Sequence, residues 1–135
     1  MKKIEVVAAI LVHENKILCM QRGKGKYEYI SYKYEFPGGK IDPGENAAQA
    51  LIREIKEEMD IEIDVSDDDY FMTVEHTYPD FQITMHSFIC KVEDKNFLRK
   101  EHIEHCWLKQ DELHKLDWAP ADVPITEKLS EINLL

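Results

Sequence analysis

A chain of 135 residues with 44% hydrophobic content is sized for a single domain, expected to span 1–135, with a real core, which excludes wholesale disorder. Its 27 acidic residues outnumber its 17 basic ones, and the net charge of −10 argues against neutralising the phosphates of a polymeric nucleic acid. It does not bar a small nucleotide, because a bound cation reverses the sign of the local field. The three cysteines, Cys19, Cys90 and Cys106, sit scattered in apolar runs, which predicts buried free thiols in a reducing cytoplasm. Met1-Lys2-Lys3 leads straight into Ile4-Glu5-Val6, and so early an acidic residue spoils a signal peptide. No apolar run approaches the ~20 residues of a membrane span, so a cytoplasmic location with no membrane partner is expected.

Ile4 to Val12 is β-branched and apolar and predicts a buried strand. His13-Glu14-Asn15 makes a polar turn, and Lys16 to Gln21 returns as a second strand. Arg22 to Tyr34 is a basic, tyrosine-rich loop. Glu35-Phe36 predicts a short strand, stopped by Pro37-Gly38-Gly39, and Asp42-Pro43-Gly44 a turn before a helix over about Asn46 to Met59. In that helix Ala47, Leu51 and Ile55 recur at i, i+4 and i+8, with Ala48 and Ile52 beside them, giving one apolar face. Glu45 at its start suits the helix dipole. Ile61 to Val65 alternates and predicts a strand, and Ser66 to Asp69 an acidic turn. Tyr70 to Thr77 and Phe81 to Val92 predict two longer strands joined by Tyr78-Pro79-Asp80. After a charged loop over Glu93 to His102, Glu104 to Leu108 predicts a strand, Gln110 to Leu116 a short helix and Val123 to Leu129 a last helix. Strands around one early and one late helix predict an α/β chain, with α/β/α layers around a mixed β-sheet.

The chemistry concentrates in Gly39-Lys40-Ile41-Asp42-Pro43-Gly44-Glu45 and, seven residues on, Arg53-Glu54-Ile55-Lys56-Glu57-Glu58. Glu54, Glu57 and Glu58 are spaced i, i+3 and i+4, so on a helix three carboxylates converge on one face. Like charges at that spacing repel. A hard cation such as Mg²⁺ removes the conflict, since it takes oxygen ligands from a few carboxylates plus substrate phosphates.

The stretch resembles the Nudix box. Every position matches except the last glycine, where the chain has Asp60, and Ile61 supplies the apolar residue after it. Asp tolerates a left-handed helix end less well than Gly, so a small stability cost is expected there with no loss of metal binding. The resemblance implies the Nudix fold and hydrolysis of a nucleoside diphosphate linked to another group. It implies Glu54, Glu57 and Glu58 as metal ligands, the Gly38 carbonyl nearby, and Mg²⁺ as the cation with Mn²⁺ as the alternative. Gly38 and Gly39 suit such a place, because a backbone turned towards a metal and phosphates has little room for a Cβ. Arg53 and Glu45 would pair to orient the catalytic loop and helix; as an ordinary surface pair they would contribute at most ~1 kcal/mol. For the general base the resemblance leaves Glu54 as first candidate and Glu101, six residues before Trp107, as second.

Along most of the chain the likeness is to the MutT branch, which cuts nucleoside triphosphates to the monophosphate and pyrophosphate and sanitises the nucleotide pool. Arg22 at the end of the second strand then meets substrate phosphates, as a guanidinium fork suits; Lys40 is a further phosphate candidate, and Lys24, Lys26 and Lys33 add steering. Trp118-Ala119-Pro120-Ala121-Asp122-Val123-Pro124 resembles the segment that touches the nucleobase. An ionised Asp122 only accepts hydrogen bonds and would favour an exocyclic amine, as on cytosine; a protonated one imitates Asn and would suit 8-oxoguanine, provided burial raises its pKa. Asp122 is equally well placed as the N-cap of the last helix, with Pro124 in its first turn. Tyr78, Phe81, Phe36 and Trp118 are candidates for an apolar slot around the base, or for ordinary core. The histidines form no metal set. The implied partner is a small-molecule nucleotide of the 8-oxo-dGTP or CTP/dCTP type, with monomer and homodimer both open. Two rivals stand beside this reading: a nucleoside-diphosphate-sugar or dinucleoside polyphosphate hydrolase, and a non-catalytic nucleotide-sensing module, against which the intact glutamates argue.

Overall fold

The computed structural model describes residues 1–134. Its centre is β1 (Lys2–His13), which runs parallel to β6 (Phe81–Lys91) from the Lys2–Phe81 pair to the Val12–Lys91 pair. β6 pairs antiparallel with β5 (Tyr70–Thr77). On the other side β1 turns into β2 (Lys16–Gln21), whose far edge takes β7 (Glu104–Leu108). β3 (Tyr34–Glu35) and β4 (Gly38–Lys40) complete a seven-stranded mixed sheet.

Two helices cover this sheet, and β1 shows why. Its successive side chains alternate between faces. Val7, Ala9 and Leu11 pack with Leu51, Ile55 and Met59 of α1 (Ala47–Met59). Ala8, Ile10 and Val12 pack with Ile125 and Leu129 of α2 (Val123–Leu129). The expected α/β/α layering is therefore present, with one core on each face. Among the described residues no helix is long and apolar enough to cross a membrane. Cys19 and Cys90 are buried, Cys106 partly so, and all three are free thiols.

The feature that makes a site is a splay. β1 and β2 pair only beside their turn, at Val12–Ile17 and His13–Lys16. Further along, residues 34–40 enter the gap: β3 pairs with β2, β4 pairs with β1, and the Ala9 N–H donates to the Pro37 carbonyl (2.8 Å). The predicted strand Glu35–Phe36 thus ends at Glu35, and Gly38-Gly39, expected as a stop, is itself strand. Pro37 has no N–H for a ladder and separates the two short pieces. Gly38 lies so close to β1 that a Cβ would overlap the Val7 carbonyl. Its lack of a side chain is required by strand pairing rather than by a ligand.

α1 begins on a capping box: the Asn46 side chain accepts from the Gln49 N–H (2.8 Å) and the Gln49 side chain from the Asn46 N–H (2.9 Å). It ends at Asp60, left-handed at φ 57° and ψ 37°, with its N–H on the Lys56 carbonyl. Two sequence expectations need correction. Residues 61–65 form no strand: Ile63 and Val65 are buried and Glu62 and Asp64 exposed, as the alternation implied, but no neighbouring strand pairs with them. The short helix expected over Gln110–Leu116 is a 3₁₀ turn over Gln110–Lys115.

Candidate active site

Arg53 ties the loop before α1 to the helix. Its Nε and one terminal nitrogen bond both oxygens of Glu45 (2.7 and 2.9 Å), and that nitrogen also reaches the Lys40 carbonyl (3.0 Å). The other terminal nitrogen meets Glu54 (3.0 Å) and Glu57 (3.2 Å). Glu45 in turn accepts from the Asp42 N–H (2.9 Å). The Arg53 hydrogen bond, before all else, holds the Glu45 carboxyl below its ordinary pKa. This is a five-bond hub rather than a lone surface pair.

A cleft of about 620 Å³ opens beside it, where residues 34–40 enter the sheet. Glu58, Glu101, Gly38, Gly39 and Lys40 line it. Glu54 stands directly behind Gly39, where a Cβ would overlap its carboxylate. Glu57 faces outward with 60% of its side chain exposed, and does not line the cleft. The helix periodicity therefore brings Glu58 into the cleft lining and Glu54 behind Gly39, while Glu57, bonded like Glu54 to Arg53, points outward.

Glu58 carries the chemical tension. It is 7% exposed, and among the described residues its buried Oε2 has no hydrogen-bond partner. Burial first, and then the neighbouring Glu101 carboxyl, push its pKa up to about 9; Glu54 and Glu35 add to the shift. Among the described residues no three acidic, histidine or cysteine side chains are gathered closely enough to hold an ion as they stand. A buried carboxylate oxygen without a partner among further carboxylates is nevertheless the donor set a hard divalent cation fits.

Asp122 is no helix cap. Its backbone is helical, its side chain caps nothing in α2, and its Oδ1 accepts from the Phe36 N–H (3.1 Å). The residue is 4% exposed and lines the cleft. Burial, and after it the charge of Glu35, raises its pKa well above the ordinary carboxylate range, against the pull of the Phe36 N–H and Arg22. Tyr78 accepts from the Ala121 N–H (3.0 Å) and so braces the segment carrying Asp122. Phe36, Tyr78 and Phe81 line the cleft, whereas Trp118 stacks behind Phe36 at 4.7 Å and donates its indole N–H to the Leu113 carbonyl. The four-ring slot is thus three rings with a support behind. Arg22, Lys24 and Lys26 also line the cleft, but Lys33 is paired with Asp117 at 2.7 Å and does not.

Three cleft residues escaped sequence reasoning. Tyr27 stacks on Tyr29 (5.3 Å) and meets Phe81 (5.4 Å). Glu35 receives Arg22 on one oxygen (3.2 Å) and His102 on the other (2.9 Å). The tyrosine-rich composition of the 22–34 loop was the only signal for Tyr27, and nothing in the order of residues joins Glu35 to His102, 67 positions apart.

The sequence matches the NUDIX domain over residues 2–129. It is 35% identical over 127 residues to the CTP pyrophosphohydrolase of Escherichia coli (strain K12), covering 94% of this chain and 91% of the relative. It is 30% identical over 132 residues to the 8-oxo-dGTP diphosphatase of the same strain, covering 98% and 100%. The solution structure of a MutT protein of the Nudix hydrolase family, from methicillin-resistant Staphylococcus aureus 252, superposes with a TM-score of 0.74 at 39% identity, covering 97% and 98%.

Proposed function

The chain belongs to the NUDIX domain family, and from that premise we propose that it is a Mg²⁺-dependent hydrolase converting nucleoside triphosphates to monophosphate and pyrophosphate in the free nucleotide pool. The observation that carries this is the buried oxygen of Glu58, partnerless among the described residues, set in a box that departs from the pattern only at Asp60, beside a cleft of about 620 Å³. Glu54, Glu58, the Gly38 carbonyl and, on turning inward from Arg53, Glu57 would hold the cation, Mg²⁺ or in its place Mn²⁺. Bound there, it supplies charge neutralisation for the pyrophosphate chain.

The protein's own groups do the rest. Arg53 and Glu45 hold the Lys40–Glu45 loop against α1, so that Glu54 and Gly39 keep their places. Arg22, Lys24, Lys26 and Lys40 offer cationic contacts to phosphate oxygens. Of the two candidate bases, Glu54 is engaged by Arg53, whereas Glu101 lines the cleft beside Glu58, which favours Glu101 for taking the proton of the attacking water.

At the base end, burial raises the Asp122 pKa well above the ordinary carboxylate range, and a proton held there would let it both donate and accept, as an amide does. That supports an oxidised guanine such as 8-oxo-dGTP. The 35% identity to a CTP pyrophosphohydrolase supports cytosine as the second reading, which requires Asp122 to ionise. The test is pyrophosphate release across normal and oxidised triphosphates with Mg²⁺. Turnover of at least one, lost by orders of magnitude in Glu54→Gln and Glu57→Gln with the fold intact, is the expected result; no turnover of any sinks the proposal.

A further inference from the structure

Residues 92–103, between β6 and β7, carry Glu101 without any regular secondary structure. Their ties run elsewhere: the Leu98 N–H to the Met59 carbonyl (3.0 Å), the Lys100 ammonium to the Glu57 carbonyl (3.3 Å), and the Ile103 N–H to the Gln21 carbonyl (3.0 Å). None of these residues lines the cleft. His102 does. Its side chain is 7% exposed, it lines the cleft, and its Nε2 lies 2.9 Å from Glu35 Oε2. Glu35 is itself anchored on β3, where it pairs with Met20 of β2, and its second oxygen holds Arg22.

We propose that Glu35 and His102 are a positioning pair that fixes the Glu101 carboxyl against Glu58, and that Glu35 holds the Arg22 guanidinium in the same arrangement. A strand-borne carboxylate has a fixed backbone, and a buried imidazole bonded to it pins the loop one residue from Glu101. Side-chain geometry at a reacting centre is set by such supporting bonds as much as by the reacting groups themselves. An ionised Glu35 accepts only, so the imidazole donates from Nε2. Because Glu35 serves both partners, the arginine that meets phosphate and the loop glutamate share one anchor. In this arrangement Glu35 and His102 act through Glu101 and Arg22.

The inference rests on Glu101 acting in the hydrolysis, and the experiment separates the two. kcat and KM are measured with Mg²⁺ for His102→Ala, Glu101→Gln and the double variant, with thermal melts to confirm folding; if Ala unfolds the loop region, His102→Gln carries the same comparison. The expected result is an about 10- to 100-fold loss of kcat for His102→Ala with KM little changed. That loss should vanish in the Glu101→Gln background, because a group that acts through Glu101 has nothing left to position. A full further loss in the double variant, or unchanged kcat for His102→Ala, overturns the positioning role while leaving Glu101 in place. A silent Glu101→Gln overturns the assignment of Glu101, and the pair's role with it.

Discussion

Replacing Glu58 by Gln should stabilise the metal-free protein at neutral pH while abolishing its response to divalent cations. The folded-state pKa of Glu58 is about 9 against an ordinary 4.5. Between those values the folded chain keeps a proton that the unfolded chain has lost. Stability therefore falls as pH rises through that window, and is fully retained only below the lower value. At pH 7 the loss reaches about 3 kcal/mol, at ~1.4 kcal/mol per pH unit, as an upper bound set by burial and the like charge of Glu101. A neutral amide of the same shape removes this term. For a chain of this length ~1 kcal/mol shifts the melting temperature by roughly 3–4 °C, so Glu58→Gln should melt up to about 10 °C higher than the parent at pH 7 in EDTA. At pH 4 the two should coincide to within a few degrees, since both then carry a neutral side chain. Adding Mg²⁺ should raise the melting temperature of the parent and leave the variant unmoved, because the cation binds the ionised carboxyl. Thermal melts over pH 4–9, with and without Mg²⁺, decide it. Parallel pH profiles for the two proteins in EDTA would refute the reasoning.

Gly39→Ala should cost most of the activity and leave the fold standing, because its Cβ would displace the Glu54 carboxylate; kcat and a thermal melt check this. Gly44→Ala has open space around it but a φ of +86°, and should cost about 1 kcal/mol by denaturant unfolding with activity kept. Arg53→Lys keeps the charge but loses the fork that joins Glu45, Lys40, Glu54 and Glu57, and steady-state kinetics should show kcat about 100-fold lower at near-native KM. If 8-oxo-dGTP is the substrate, Asp122→Asn should match the parent's turnover of it and lack a decline at high pH, since an amide keeps the donor that Asp122 loses on ionising. A pH–rate comparison on 8-oxo-dGTP and CTP measures that directly.

Much of this was legible in the order of residues. Helix periodicity placed Glu54 and Glu58 on one face of α1, and the Asn46-to-Met59 boundaries follow from capping and apolar spacing that are local in the chain. Asp60 could be expected at a left-handed helix end because the box aligns it with glycine. Such features depend on residues a few positions apart, and short-range geometry suffices for them. What only the tertiary structure decided depends on approach across the fold. Ile63 and Val65 alternate like a strand, yet no edge lies beside them to pair with. Gly38 owes its place to the Val7 carbonyl, and Gly39 to the Glu54 carboxylate, neither of them a chain neighbour. Asp122 looks like a cap and instead holds the Phe36 N–H, buried deeply enough to raise its pKa well above the ordinary carboxylate range. Glu57 has the spacing of a cleft residue, yet faces solvent on Arg53. The spacing of carboxylates located the site; burial, which no spacing encodes, set which carboxyls have raised pKa values within it.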